Sequence, residues 1–370
     1  MKKHSYIGLD VHKDSISIAV AEGGRKGEVR DYGRVGGSLI ALERALRKLK
    51  KEGMELHCVY EAGPCGFVIY RRLKQIGIDC EVVAPSLIAR KPGERIKTNR
   101  RDAIKLARSH RAGELTAVHV PDAGDEAIRD LCRARSDAVR DQRRSRQQLK
   151  ALLLRQGYHY TGKSSWTEAH LRYLRELEMS HPAQKVALEE YLIAIGQVGE
   201  RIARLNGQIE LQVATWRFKP AVEALMAMRG IQLIAASVLL SELGDLRRFA
   251  HPRQLMAYLG LVSSENSTGN SRHQGAITKC GNTHARWFLI ECAQHYALPP
   301  KVSKELSKRQ EHQPQRIKEL SWKAQTRLHR RFWALMQRGL CRQKAVVAVA
   351  RELSGFIWAM IREVPVPKTT

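Results

Sequence analysis

The sequence predicts a mixed α/β layer at its N-terminus and a mainly helical remainder, on three observations. Residues 5–84 run strand, strand, strand, helix, strand, helix, strand. Leu188, Ile195, Ile202 and Ile209 recur every seven residues, with Tyr191, Val198 and Leu205 three further on. Beyond Pro220 apolar residues keep helical spacing almost to the end. A chain of 370 residues is long for one ordinary domain, so three regions are expected: an α/β domain at 1–120, a helical coiled-coil region at 121–219 and a mainly helical domain at 220–370.

Each element has a local reason. Tyr6-Ile7-Gly8-Leu9 is an apolar run, Asp10 to Asp14 turns, and Ile16, Ile18 and Val20 alternate with small residues. Glycines at 23, 24 and 27 lead into a third strand near 29–35; 39–49 is an amphipathic helix, and 56–60 is a buried strand running into Glu61-Ala62-Gly63-Pro64. A helix at 67–76 and a strand at 80–84 complete the layer, and a helical run follows at 104–112. The stretch 126–154 has helical spacing and is rich in arginine, and 158–180 is a less regular insert carrying aromatic residues. The heptad seam needs a partner, either the helix at 126–154 or another subunit. A subunit contact is expected, because oligomers are commonly symmetric. Helices at 224–228, 234–243 and 254–258 precede a run of Ser, Asn, Gly and basic residues at 263–281, whose composition says loop. Arg229-Gly230 between two small-residue helices is a weak signal for a turn that offers N–H groups to a DNA backbone, since Gln232 stands where a second glycine is expected. The remainder has a basic stretch at 301–331 and an apolar helical pattern at 332–361; its tryptophans, Trp287 and Trp322, read as core.

Charge narrows the function classes. Lys+Arg 64 against Asp+Glu 37 leaves +27, which points to a polyanionic partner, with nucleic acid leading. A membrane-surface role is disfavoured, because no long apolar span and no signal peptide is read, so a cytoplasmic, nucleoid-associated protein is expected. Seven scattered cysteines without a C-x-x-C pair suggest neither a disulfide framework nor a zinc site, and the fourteen histidines form no helical metal motif.

Three acids carry the chemistry that such a protein would need. Asp10 ends the first strand, Glu61 ends the fourth, and Asp102 enters a helix. Two of them terminate apolar strands, where no solubility need explains them, and converging carboxylates on a basic protein suit Mg²⁺. In the 263–281 loop, Ser267 and Thr268 offer hydroxyls beside Arg272 and Lys279, whose charges can neutralise a phosphoryl group. Arg143 and Arg144 belong to an arginine-dense helix suited to a phosphate track.

Taken together, Tyr6-Ile7-Gly8-Leu9-Asp10-Val11-His12-Lys13, Tyr60-Glu61-Ala62-Gly63, Lys97-Thr98-Asn99-Arg100-Arg101-Asp102-Ala103, and Gly260-Leu261 through Asn266-Ser267-Thr268-Gly269 to Thr278-Lys279-Cys280-Gly281-Asn282 resemble the DEDD-type insertion-sequence transposases whose recombination is guided by a structured bridge RNA. The resemblance spans nearly the whole chain, in order. It implies a RuvC-like (ribonuclease H) N-terminal domain, a coiled-coil middle and a C-terminal domain with a serine nucleophile that links covalently to DNA next to an acid-bound Mg²⁺. Asp10, Glu61 and Asp102 match three of the family's four acids, and Asn99 stands where the remaining one lies, with Arg100 and Arg101 beside it as nucleic-acid contacts. The family's serine directly precedes the glycine; that position is Thr268 here, with Ser267 one residue earlier. Ser267 is the favoured nucleophile for its unhindered primary hydroxyl, and Thr268 stays open. The implied partners are donor and target DNA, a structured non-coding guide RNA and further copies of the chain as a dimer or tetramer. The alternative function is a RuvC-like structure-specific nuclease that uses water, and a third is an architectural nucleic-acid binder.

Overall fold

In the computed structural model, which describes residues 3–24, 26–89, 98–269 and 271–365, the chain divides into two compact units, 1–120 and 121–370. Lys97 and Asn270, both within the motifs above, lie outside the described residues.

The first unit contains β1 (Lys3–Val11), β2 (Ser15–Glu22), β3 (Val29–Gly36), α1 (Leu39–Leu49), β4 (Met54–Glu61), α2 (Val68–Gln75), β5 (Asp79–Val83) and α3 (Asn99–Arg111). This is the order expected from the sequence. The strands form one sheet in the order β3-β2-β1-β4-β5. β1 pairs with β2 antiparallel and with β4 parallel, Leu9 opposite Tyr60. Because strand side chains alternate between faces, the two faces carry different cores. Ile7, Leu9, Ile16, Ile18, Cys58 and Tyr60 pack with Leu42 and Leu46 of α1 and Leu73 of α2. On the other face Ala19 and Ala21 meet Ala103 and Ala107 of α3, and Val59 and Val83 meet Leu106. Small residues on this second face let α3 lie close: a Cβ on Gly8 would fall 2.2 Å from the Ala103 carbonyl oxygen and 2.5 Å from the Ala107 nitrogen.

The second unit is helical apart from one hairpin. It comprises α4 (Ala123–Arg155), α5 (Glu168–Glu176), α6 (Pro182–Thr215), α7 (Lys219–Met226), α8 (Leu233–Leu243), α9 (Pro252–Tyr258), β6 (Ser263–Glu265), β7 (Gln274–Ile277), α10 (Thr283–Ala293), α11 (Lys304–Gln310), α12 (Gln315–Gln337) and α13 (Arg342–Arg362). Asp122 caps α4, its side chain accepting from the Asp125 N–H at 2.8 Å. The aromatic insert contains α5 and packs with Leu149, Leu152 and Leu153 of α4 and Leu188 and Ile195 of α6.

The heptad seam of α6 finds its partner within the chain. α4 and α6 run antiparallel, with Gln184 donating to Gln156 at 2.9 Å near one end and Arg135 donating to Asn206 at 3.1 Å towards the other. Leu188, Ile195 and Ile209 are buried and Ile202 is half-buried. The buried positions of the seam thus face α4 of the same chain. A segment tethered in the same chain meets its partner at an effective concentration that a separate copy does not match. Ile128 and Cys132 of α4 and Ile209 and Val213 of α6 also enter the core made by the C-terminal helices, with Leu225, Leu240, Leu289, Phe332 and Ile357. The turn at Arg229-Gly230 lies against Cys292 of that core and the exposed His295. The tryptophans differ from expectation: Trp287 and Trp322 are each 47% exposed, because the apolar stripes of α10 and α12 are already filled by Phe288, Leu289, Leu320 and Leu328. Among the described residues, no helix is long and apolar enough to cross a membrane.

Candidate active-site elements

Alternation along β1 and β4 decides where the acids point. Asp10 shares the register of Gly8, on the face that α3 covers, and Glu61 shares that of Val59, also on the α3 face. Asp10 and Glu61 close neighbouring parallel strands, one step beyond the Leu9–Tyr60 pair. Asp102 sits in the first turn of α3, whose N-cap Thr98 accepts from the Arg101 N–H at 3.3 Å. The helix N-terminus favours that carboxylate. The fold therefore brings Asp10, Glu61 and Asp102 to one end and one face of the sheet. Asn99, on the same turn as Asp102, is exposed. Asp10 lies 3.1 Å from His12 Nε2. Arg100 forms an ion pair with Asp31 of β3 at 2.9 Å, and Arg101 beside it is exposed.

An all-oxygen donor set of three carboxylates and one amide fits a hard divalent cation. Their ligand atoms are not gathered as closely as a bound ion would hold them. Among the described residues, the group of three that lies within 4.8 Å is a different one, His4, Glu55 and His57. That group stands at the opposite ends of β1 and β4. His4 Nδ1 is 3.0 Å from His57 Nε2, and His57 Nδ1 is 3.0 Å from Asp79. His4 stands 53 residues from His57, and the three form no spacing motif, so the sequence alone did not bring them together.

The stretch expected to be a loop is an antiparallel hairpin. β6 and β7 pair Ser263 with Ile277 and Glu265 with Gln274. Its tip closes through mutual backbone hydrogen bonds of 3.1 Å between Thr268 and Ser271. Ile277 apart, which is half-buried, the residues of both strands are exposed, which is why composition read as loop. Ser267 Oγ donates to Glu265 at 3.0 Å, and Arg272 and Gln274 donate to the same carboxylate at 3.3 and 3.2 Å. Hydrogen bonds from Gln274 and Ser267, with the charge of Arg272, hold Glu265 below the usual carboxylate range.

The base of the hairpin is locked. Arg286 of α10, 7% exposed, donates to the carbonyl oxygens of Leu259 and Cys280, the entry and exit of the hairpin, at 2.9 and 2.8 Å. Gly260 (φ +64°) and Gly281 (φ +71°) sit where the two ends touch: a Cβ on Gly260 would lie 2.4 Å from the Cys280 oxygen, and one on Gly281 1.8 Å from the Tyr258 oxygen. Lys279, between them in sequence, holds φ at +56°, the left-handed region that costs a non-glycine residue.

Residues 7–157 match the DEDD transposase family of IS110, and residues 222–307 match the transposase IS116/IS110/IS902 family. The chain is 47% identical to transposase y4qE of Sinorhizobium fredii over 98% of its own length and 89% of that protein. It is 30% identical to the transposase of insertion sequence element IS1533 from Leptospira borgpetersenii over 90% of its length and 96% of that protein. The chain belongs to the IS110 family of DEDD transposases. It is a DNA transposase, and DEDD transposase domains typically use a divalent metal.

The transposase also holds a buried polar network beside the hairpin that sequence reasoning passed over. Glu242 of α8 has a fully buried side chain and receives two hydrogen bonds from Arg133 of α4 at 2.7 and 2.9 Å, one from Asn282 at 2.7 Å and one from His284 at 3.0 Å. Burial by itself would raise the Glu242 pKa. The hydrogen bonds from His284, Arg133 and Asn282 outweigh it and bring it down to about 2. Asn282 is also the N-cap of α10, accepting from the Ala285 N–H at 2.9 Å. Glu242 thereby ties the residue that leaves the hairpin to two helices. A signal for it was present: a lone carboxylate inside the apolar run of α8 must be paired. Arg286, inside the apolar α10, carries the same signal.

Proposed function

We propose that this transposase cleaves and rejoins DNA through a covalent phosphoserine intermediate formed at Ser267, with Mg²⁺ as the metal and a structured non-coding RNA as the guide. The observation that carries the reading is the Ser267–Glu265 hydrogen bond at the tip of a hairpin whose two ends are fixed by Arg286. An exposed serine alone is a weak nucleophile. Here its hydroxyl is oriented by a carboxylate that stays ionised, and Arg272 stands ready to meet a phosphate.

In the first step the Ser267 oxygen bonds to phosphorus, its proton leaves, and the bond to the 3′ oxygen of the DNA breaks, that oxygen taking up a proton. In the second, a 3′ hydroxyl of another DNA end attacks the phosphoserine and expels the Ser267 oxygen, which regains its proton. No external energy source is needed, because the phosphodiester energy is kept in the protein link. Asp10, Glu61 and Asp102, with the Asn99 amide oxygen, would hold Mg²⁺, which when bound offsets charge on the phosphoryl oxygens. Lys279 adds cationic charge near the hairpin base, and Arg100, Arg101, Arg143 and Arg144 bind the nucleic-acid backbone. Exchange between two DNA ends calls for more than one serine, so the acting species is a homo-oligomer, a dimer or tetramer.

A suicide DNA substrate nicked beside the cleavage site tests the reading. A covalent protein–DNA adduct is expected in wild type, retained in Thr268→Val and lost in Ser267→Ala. An adduct undiminished in Ser267→Ala, or its loss in Thr268→Val with Ser267→Ala active, moves the nucleophile. Strand cleavage that survives loss of both hydroxyls yet dies in Asp10→Ala would mean that water is the nucleophile.

A further inference from the structure

We infer that the pocket between α4 and the start of α10 is a binding site for an unpaired nucleotide of a single strand, its base stacked on Trp287 and its phosphate held by Arg135 and Arg143. The inference rests on the nucleic-acid role proposed above and adds a site and a ligand form to it.

The pocket has a volume of about 610 Å³, and its lining includes Arg135, Asp137, Arg140 and Arg143 of α4 and His284 and Trp287 of α10. That size suits a nucleotide-sized ligand, pockets for small ligands running from roughly 300 to 1,000 Å³. Its floor is rigid. His284 is fixed on both nitrogens, 3.0 Å from Glu242 and 3.0 Å from Ser136, and Glu242 binds Arg133 through both oxygens. This network accounts for Arg133, His284 and Asn282 as structural members. It leaves three lining residues unexplained.

Arg135 is half-buried, and burial pushes its pKa down. Its guanidinium is matched by the neutral amide oxygen of Asn206 at 3.1 Å and, among the described residues, by no carboxylate. A desolvated cation without a counter-charge calls for an anion. Arg143 is exposed and likewise pairs with no acid among the described residues, whereas Arg140 is paired with Asp137. Trp287, 47% exposed, stands edge-on to Phe288 at 4.9 Å, an arrangement that fixes the indole while leaving much of it to solvent. An aromatic platform beside unpaired arginines is the chemistry of base stacking with phosphate contact, and stacking on a side chain requires a base that is not in a duplex.

The site continues along α4. Arg143 also borders a second hollow of about 350 Å³ with Arg146, Lys150 and Trp166. There the Arg146 guanidinium lies 4.8 Å over the Trp166 ring, and its Nε is buried without a hydrogen-bond partner among the described residues. Trp166 holds φ at +68°, so its backbone is strained to keep the ring in place. From Ser136 to Lys150 the helix rises about 21 Å, a length suited to several nucleotides of a single strand.

The test uses the full-length protein and three probes at one salt concentration: a single-stranded DNA 12-mer, an RNA 12-mer of the same sequence, each bearing one 5-iodouracil, and the corresponding DNA duplex. Both single strands are expected to bind more tightly than the duplex to this site and to photocrosslink within α10 at Trp287. The tighter of the two identifies whether DNA or RNA is the natural strand. Trp287→Ala should weaken single-strand binding about tenfold, Trp287→Phe should restore it, and Arg143→Ala should weaken it and flatten its salt dependence. Binding unchanged in Trp287→Ala and Arg143→Ala, or crosslinks that avoid α4 and α10, overturns the site. Should Trp287→Ala fail to fold, Trp287→Phe and Arg143→Ala decide alone. The serine reading is judged separately: a wild-type covalent adduct together with unchanged binding in these variants sinks the pocket only, and absence of the adduct with the expected binding losses sinks the serine only.

Discussion

Gly8 of β1 lies so close beneath Ala103 of α3 that a Cβ would sit 2.2 Å from the Ala103 carbonyl oxygen. Gly8 is two residues before Asp10, and Ala103 is one after Asp102. The contact therefore sets the spacing between the strand end and the helix turn that carry two of the acids. Gly8→Ala cannot be accommodated by a rotamer change, because the obstacle is backbone. We expect α3 to be pushed outward at a cost of about 1–3 kcal/mol, read as a lower Tm, with a disproportionate loss of metal-dependent strand cleavage. A variant that melts lower but cleaves like wild type would mean that the Asp10–Asp102 spacing does not matter to the reaction.

Arg286 does for the hairpin what Gly8 does for the acids. One guanidinium serves the carbonyls on both sides of the hairpin, at 2.9 and 2.8 Å. A lysine cannot reach both with fixed geometry. Arg286→Lys should cost about 1.5–3 kcal/mol for a carbonyl that loses its charged donor. It should also loosen the hairpin base, raising the hydrogen-exchange rates of amides in 261–280 more than those in α13. Uniform exchange across both segments would argue for global destabilisation instead.

The sheet was legible in the sequence because most of its strands are short, apolar and bounded by polar or glycine turns, and period-2 alternation carries facing. So were the positions of Asp10 and Glu61, which interrupt apolar runs at strand ends. The hairpin was not legible: its strands are three and four residues long and, Ile277 apart, exposed, and what holds its base is a residue, Arg286, beyond its own ends. The pairing of α6 with α4 was also hidden, because a heptad seam specifies a partner surface without saying which chain supplies it. His4, Glu55 and His57 and the Glu242 network depend on strand pairing and helix packing between distant segments, and local spacing records neither.

Glu242 predicts a pH dependence whose sign is fixed. Its folded pKa is depressed to about 2, against an unfolded value of about 4.3. The group therefore contributes stability that is complete above the unfolded value and is lost as pH falls from about 4.3 towards 2, roughly 3 kcal/mol in all. Thermal melts of wild type should fall through that window. Glu242→Gln should start lower at neutral pH, because Arg133 then loses the buried carboxylate that both its hydrogen bonds reach, and should show a shallower fall below pH 4.3. An acid limb as steep as that of wild type would place the titration in other carboxylates.

Glu265 offers the sharpest separation between orienting a hydroxyl and taking its proton. The carboxylate is held below its usual range by Gln274, Ser267 and Arg272, which makes it a weak proton acceptor and a good hydrogen-bond acceptor. Glu265→Gln keeps an oxygen within reach of Ser267 and removes the charge. If orientation is the role, adduct formation on a nicked substrate should slow by about tenfold or less, with an unchanged pH profile. If Glu265 takes the proton, the loss should approach the hundredfold or more typical of general-base removal, and the acid limb of the rate profile should disappear. Glu265→Ala discriminates further: it frees Arg272 as well as Ser267, so a variant weaker in DNA binding but normal in adduct rate once saturated would assign the carboxylate to holding Arg272.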